Sequence, residues 1–191
     1  MKKFQEYIDK KCPLKDGTFD ELQACFHLIK LSKNDFFLRD GAYTHQIGFL
    51  QKGIVLVYFS NHEGKEYIKQ FFVAPSIIGA YTSLLTKQPN KIAQQALTDC
   101  EILVADYAKI EALYNRHHDL ERLGRNIAEH YFLEKEQKEL EMALLDADKR
   151  YQLMRERFPT IESIIPQYYI ASYLGISPTQ LSRIRRKIQL S

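Results

Sequence analysis

The spacing of apolar residues changes character twice along the chain. From Lys2 to Lys30 they recur at helical intervals, with Phe4, Ile8, Leu22, Phe26 and Ile29 as the stripe, which predicts helix. Between Leu31 and Val104 the texture becomes short runs rich in Val, Ile, Phe and Tyr: "FFLRDG", "IGFLQKG", "IVLVYFS", "YIKQFFV" and "EILVA". Turn signals at Gly41, Gly53, "NHEGK" and "TKQPN" separate them, which predicts several short strands in a β-sandwich or roll. The stretch "SNHEGKE" reads as a hairpin turn, with Gly64 available for positive φ. From Tyr107 the helical period returns in "YAKIEALYN" and then in a long segment, Leu120 to Leu145, that contains no proline.

That long segment carries Leu120, Leu123, Ile127 and Tyr131 on one seam, continued by Leu133, Leu140 and Leu144. At 1.5 Å per residue it would reach roughly 39 Å, more than a small domain needs to cover its own core. Pairing with its twin is therefore expected, with Leu123, Ile127, Tyr131 and Leu140 in the dimer helix. Asp146 is a plausible N-cap for the next helix, and Leu145–Asp146 is the expected hinge. Capping is also the simplest role for Asp146 and Asp148, since no histidine accompanies them. A helix over Tyr151–Phe158 should stop at Pro159.

The last periodic segment is "IASYLGISPTQLSRIRRKI". Pro166 suits the start of a helix over Gln167–Leu174, and Gly175 suits the left-handed residue that ends it. Ser177 and Pro178 supply an N-cap and a first-turn proline. Leu181, Ile184 and Ile188 then form a buried stripe, opposite Thr179, Gln180, Ser182, Arg183, Arg186 and Lys187, with Arg185 flanking. This is the pattern of a helix-turn-helix, whose second helix lies in the major groove of duplex DNA. Arg183 is placed to read base edges, with Thr179 and Gln180 next. Ser177, Ser182, Arg186 and Lys187 suit phosphate, as do Gln167 and Tyr168 on the bracing helix.

Charge sharpens this picture. Of 27 Lys/Arg and 24 Asp/Glu in 191 residues, eight and four fall from Asp146 onward, so the basic excess sits in the last quarter. Such asymmetry fits a polyanion-binding end joined to a nearly neutral one. Three scattered cysteines, Cys12, Cys25 and Cys100, make neither a disulfide framework nor a Cys-x-x-Cys metal pair. The opening "MKKFQEYIDKKC" lacks a signal-peptide apolar segment, and no apolar run approaches a membrane span, so a cytoplasmic protein without membrane partners is expected.

In this order of parts the chain resembles the catabolite-activator/FNR (Crp/Fnr) family of bacterial transcription regulators. The residues carrying the resemblance are "LRDG" at Leu38–Gly41, "IGFLQKG" at Ile47–Gly53, "EGKE" at Glu63–Glu66, "IIGA" at Ile77–Ala80 and "YLGISPTQLSRIRRKI" at Tyr173–Ile188. The resemblance implies an α+β chain: an N-terminal β-roll (a jelly-roll like that of cyclic nucleotide-binding domains) over residues 1–119, a dimerisation helix over 120–145, and a helix-turn-helix over 146–191. It also implies a homodimer on palindromic double-stranded DNA, with a surface for RNA polymerase if the output is activation. The sequence stops three residues after Ile188, so the two-stranded wing usual in the family is not expected.

Where the family's cyclic-nucleotide binders carry Gly-Glu and Arg-Ser/Thr pairs, this chain reads Gly79-Ala80 and Asn90-Lys91. The ribose-clamping carboxylate and the phosphate-neutralising guanidinium are both missing, so cAMP is not the expected effector. A degenerate pocket at Gly79, Ala80, Tyr81, Asn90 and Lys91 leaves the effector unidentified. No cofactor is assigned: three cysteines cannot supply the four ligands of the family's iron–sulfur variant, and His27, His45, His117 and His118 read as surface or satisfied histidines rather than haem ligands.

A second reading is a small-molecule sensor acting through protein or RNA contacts; binding to single strands but not duplex would favour it. Enzymatic activity is not expected, since the chain has no phosphate-cradling Gly-rich loop, no Gly-x-Ser-x-Gly elbow and no His-Glu-x-x-His helix.

Overall fold

The computed structural model describes residues 1–61, 63, 64 and 66–189, so His62 and Lys65 of the expected hairpin turn lie outside it. The chain divides into two compact units, Met1–Phe59 with Phe71–His130, and Ser60–Gln70 with Tyr131–Ser191. Among the described residues no helix is long and apolar enough to cross a membrane.

The first unit opens with α1 (Lys2–Lys11) and α2 (Asp16–Ala24). The strands follow: β1 (His27–Leu31), β2 (Phe36–Leu38), β3 (Gln46–Lys52), β4 (Ile54–Ser60), β5 (Glu66–Val73) and β6 (Ser76–Ile78). After α3 (Tyr81–Thr86) come β7 (Ala93–Ala96), β8 (Cys100–Asp106), α4 (Tyr107–Tyr114) and α5 (His118–Leu144), whose first half belongs here. The strands make two four-stranded sheets, in the orders β1-β8-β3-β6 and β2-β7-β4-β5. The pairings β1–β8, β2–β7, β3–β6, β3–β8 and β4–β7 are antiparallel.

The central strands of the first sheet, β3 and β8, are buried on both faces, which explains why their middles read as continuous apolar runs. Phe49 and Leu103 are paired in register and point into a cluster with Phe4, Ile8, Leu22, Leu113, Leu120 and Leu123. Their neighbours Leu50 and Ile102, also paired, point the other way, to Val55 and Ala96. Alternate residues of one strand thus serve two cores, one under helices and one between sheets.

The expectation of helix through Lys30 is corrected here. The helix ends at Ala24, and Phe26 and Ile29 belong to the entry and body of an extended segment. His27–Leu31 pairs along its whole length with Cys100–Val104, satisfying an edge that a helix would leave open. Spacings of four and three residues matched a helix, yet the exposed Leu28 and Lys30 on either side of the packed Ile29 have the period of a strand.

One polar cluster and one confined glycine turn fasten the unit. Asp119 accepts from the Lys15 amide at 3.0 Å and from the Thr18 hydroxyl at 3.2 Å, and Thr18 lies 3.1 Å from His117 Nδ1. Thr18, 3% exposed, ties α2 to the α4–α5 corner rather than standing as a nucleophile. Between β3 and β4, Gly53 has φ +101°, and a Cβ there would lie 2.6 Å from the Asp99 carbonyl oxygen and 2.5 Å from Cys100 Sγ.

The second unit contains the rest of α5, then α6 (Ala147–Arg157), α7 (Ile161–Ile164), α8 (Gln167–Leu174) and α9 (Pro178–Gln189), with the arm Ser60–Gln70. Asp146 caps α6 as expected, accepting from the Lys149 amide at 2.8 Å. Arg150 Nη1 donates to the Leu145 carbonyl at 2.6 Å, closing the C-terminus of α5. Glu141, 8% exposed, takes Arg157 in a fork at 2.8 and 3.4 Å, and Arg157 also reaches Tyr173 Oη at 3.3 Å. Lys138 Nζ lies 3.7 Å above the Tyr173 ring and donates to the Lys69 carbonyl of the arm. Ser172 Oγ accepts from the Ile68 amide at 3.1 Å and donates to the Glu66 carbonyl at 3.4 Å. The arm's backbone is thereby hydrogen-bonded to α5 and α8.

Burial, and then the Arg157 charge, push the Lys138 ammonium down to about 8, against the pull of Glu141. A lysine whose folded value lies below 10.5 binds fewer protons folded than unfolded, so between about pH 8 and 10.5 its contribution to stability rises with pH. Lys69 is shifted in the same direction by its own burial. Lys138→Met should therefore flatten, without abolishing, the alkaline gain in urea-unfolding stability between about pH 7.5 and 9.5. In the first unit, Gly53→Ala combines a left-handed backbone with overlap onto a fixed carbonyl. It should lower the unfolding free energy by about 2–4 kcal/mol, read from urea midpoints at constant slope.

Candidate nucleic-acid interface

The turn between α8 and α9 forms as its residues dictate. Gly175 sits at φ +67°, ψ +33°. Its amide reaches the Ser172 carbonyl at 3.1 Å and the Ile176 amide reaches the Ala171 carbonyl at 3.0 Å, the two bonds of a glycine-terminated C-cap. Pro166 is the N-cap of α8, one place earlier than the first-turn position expected. Ser177 caps α9, accepting from the Gln180 amide at 3.1 Å.

Packing then fixes the rotation of α9. Leu181 and Ile184 are buried, as are Ile170, Ala171 and Leu174 of α8. At 100° per residue this turns Thr179, Ser182, Arg183 and Arg186 directly outward, with Gln180 and Lys187 on one flank and Arg185 on the other. Thr179, Gln180, Ser182, Arg183, Arg186 and Lys187 are all exposed, as are Ser177, Gln167 and Tyr168. The structure thus brings the nine expected DNA-contacting residues to the ends and outer face of one helical hairpin.

The four cations of α9 fall into two classes. Arg183 and Arg186 have no ion-pair partner among the described residues. Lys187 Nζ is held by Asp148 Oδ2 at 2.5 Å, and Arg185 Nε lies 3.8 Å from Glu162 Oε1. Glu162 also pairs with Arg155 at 3.3 Å and accepts from Tyr151 Oη at 2.6 Å. Burial, then that hydrogen bond, push Tyr151 up to about 12. Sequence reasoning missed Glu162 and gave Asp148 a capping role. The only signal was their being two of four carboxylates in a basic segment.

The five residues of the expected effector pocket divide by role. Asn90 is 4% exposed; its Nδ2 donates to the carbonyls of Arg39 and Ala42 at 2.7 and 3.0 Å, and its Oδ1 accepts from Ile92 at 2.9 Å. These bonds pin the "LRDG" loop and occupy the whole amide. Lys91 is exposed. The Gly79 carbonyl accepts from Gln94 Nε2 at 2.8 Å, and Ala80 is the N-cap of α3. Tyr81 is 46% exposed, edge-on to Tyr107 with ring centroids 6.0 Å apart. Burial and then the Tyr81 hydrogen bond raise the Tyr107 phenol above its ordinary value. Among the described residues no group of three or more His, Cys, Asp or Glu is placed to share a metal ion.

Of the four residues expected in the dimer helix, Leu123 is 3% exposed and Ile127 is half-buried, both packed on the roll's own core. Tyr131 is also half-buried, and Leu140 is 48% exposed. The large apolar side chains that α5 exposes are Phe132, Leu133, Leu140, Met142 and Leu144.

Comparison with known proteins agrees with this geometry. Residues 28–117 match the family model of the cyclic nucleotide-binding domain. No curated protein is close enough in sequence to count as a match. Among solved structures, the c-di-GMP-responsive global regulator CLP of Xanthomonas campestris shares 16% identity over 92% of both chains, with a TM-score of 0.71. FixK2 of Bradyrhizobium japonicum shares 15% over 86% of this chain and 85% of its own, at 0.73. A protein assigned to the Crp/Fnr regulator family from Eubacterium rectale shares 13% over 93% and 84%, at 0.74. Residues 28–117 are therefore similar to a cyclic nucleotide-binding domain, and the chain has the fold of the Crp/Fnr transcriptional regulators.

Proposed function

We propose that this protein is a transcription regulator that binds a palindromic duplex as a homodimer and reads base edges with α9. The observation that carries the reading is the outer face of that helix. Arg183 and Arg186 stand there without an ion-pair partner among the described residues, between exposed hydroxyl and amide side chains, while Leu181 and Ile184 anchor the opposite face. Arginine can bond guanine O6 and N7 together, and threonine and glutamine can read other edges, so the surface has the donors that a major groove requires. The fold shared with the regulators named above supports the same role.

The second copy would pair along the later half of α5. Leu133, Leu140 and Leu144 are spaced by seven and four residues, the interval of a heptad seam, and all are exposed. Leu123 and Ile127 instead pack on the roll, so the seam would begin about three turns later than the sequence pattern implied. We do not assign cAMP as effector: Ala80 offers no carboxylate, and Asn90 is consumed within the loop it pins.

Arg183→Ala should relax selectivity at one base position per half-site, by about 1–3 kcal/mol, in binding assays on a duplex selected from a random pool and its single-position variants. Equal binding of the wild-type protein to every duplex at moderate salt would overturn sequence-specific readout, and binding to single strands alone would point to RNA contacts. Leu140→Glu should convert the dimer to monomer in sedimentation, and half-sites in the selected duplex should lie about 34 Å apart.

A further inference from the structure

The sequence offers Lys187 as one more phosphate contact. Its ammonium, however, is already committed: Nζ sits 2.5 Å from Asp148 Oδ2, a carboxylate in the first turn of α6. The side chain of Lys187 is 75% exposed and that of Asp148 only 37%, so the carboxylate is the better-anchored partner and the lysine the mobile one. Asp148 makes no other ion pair among the described residues. On the opposite flank Glu162 holds Arg185 less closely, while also serving Arg155 and Tyr151. The Lys187 proton is held more firmly than in an ordinary lysine because of the Asp148 hydrogen bond and charge.

The geometry points to Asp148 as a residue that sets DNA affinity by withdrawing Lys187 from the phosphate backbone. This inference rests on the DNA-binding reading. A cation that neutralises a phosphate adds the same free energy to every sequence, because phosphates carry no base information. A cation already neutralised by Asp148 adds little, and the carboxylate beside it repels the polyanion. The consequence is a weaker sequence-independent component, which leaves discrimination to Arg183 and its neighbours. Competing sites in a genome number in the millions, so restraining that component keeps the protein from being absorbed by bulk DNA. Asp148 does not touch a base in this scheme; it is a positioning residue acting through Lys187.

The test is a double-mutant cycle on the full-length protein with Asp148→Asn, Lys187→Met and the two combined. Affinity is measured against salt on a duplex selected by the wild-type protein from a random pool and on a scrambled duplex. Asp148→Asn should tighten both by about three- to tenfold at about 0.1 M salt and steepen the log–log salt slope by about 0.9, one additional phosphate. In the Lys187→Met background the same substitution should change neither quantity. A thermal melt accompanies each variant, because Asp148 also lies in the first turn of α6; a merely structural role would lower the melting temperature and weaken binding without steepening the slope. Unchanged or weaker binding by Asp148→Asn, or an equal gain without Lys187, overturns the inference and leaves the DNA reading intact. Failure of the wild-type protein to bind any duplex overturns both.

Discussion

Leu181 and Ile184 are the residues on which the functional reading turns. Both lie at the interior edge of α9, and a rigid helix buried through two residues three apart has no remaining freedom to roll. Their burial decides that Thr179, Ser182, Arg183 and Arg186 face outward together. The glycine-terminated cap at Gly175 and the Ser177 N-cap set where α8 stops and α9 starts. Without those caps the apolar stripe would have no fixed angle of approach.

A hairpin of this size cannot bury enough surface to hold itself, so its orientation depends on polar contacts with neighbouring helices. Glu141, Arg157 and Tyr173 join α5, α6 and α8 through charge-assisted bonds that are partly withdrawn from water. Lys138 stacks on the same tyrosine and, with Ser172, receives the arm Ser60–Gln70. The arm presents backbone carbonyls and an amide of β5, and side chains of helices satisfy them. A strand thus becomes a structural part of a helical unit by the simple requirement that its hydrogen-bonding groups find partners.

In the roll, one buried amide is wholly engaged in holding the chain's own backbone. Asn90 spends its amide nitrogen on the carbonyls of Arg39 and Ala42 and its oxygen on the Ile92 amide. A neutral residue engaged in this way can shape the roll but cannot neutralise a phosphate. The same economy of contacts governs α9, where Asp148 and Glu162 engage two of its four cations and leave the other two exposed.

Much of this was legible in the residues themselves. Local sequence determined the helix-turn-helix, because caps, glycine turn and apolar spacing act within a few residues of one another; it also determined the β-rich middle and the long helix α5. It misassigned Phe26 and Ile29, whose spacing suits a helix; the Phe26 amide closes the end of α2 on the Gln23 carbonyl, and Ile29 pairs with Ile102 of β8, a partner more than seventy residues away. It placed Leu123 and Ile127 on a dimer seam, because an amphipathic pattern shows that a face is covered and not by what. The covering partner is the roll core, which includes Phe4 and Phe49. Pairings such as Lys187 with Asp148 were equally invisible, since the distance between two charges depends on how α6 and α9 cross. Short-range chemistry was written in the sequence; which surfaces and charges meet was decided only when distant segments packed.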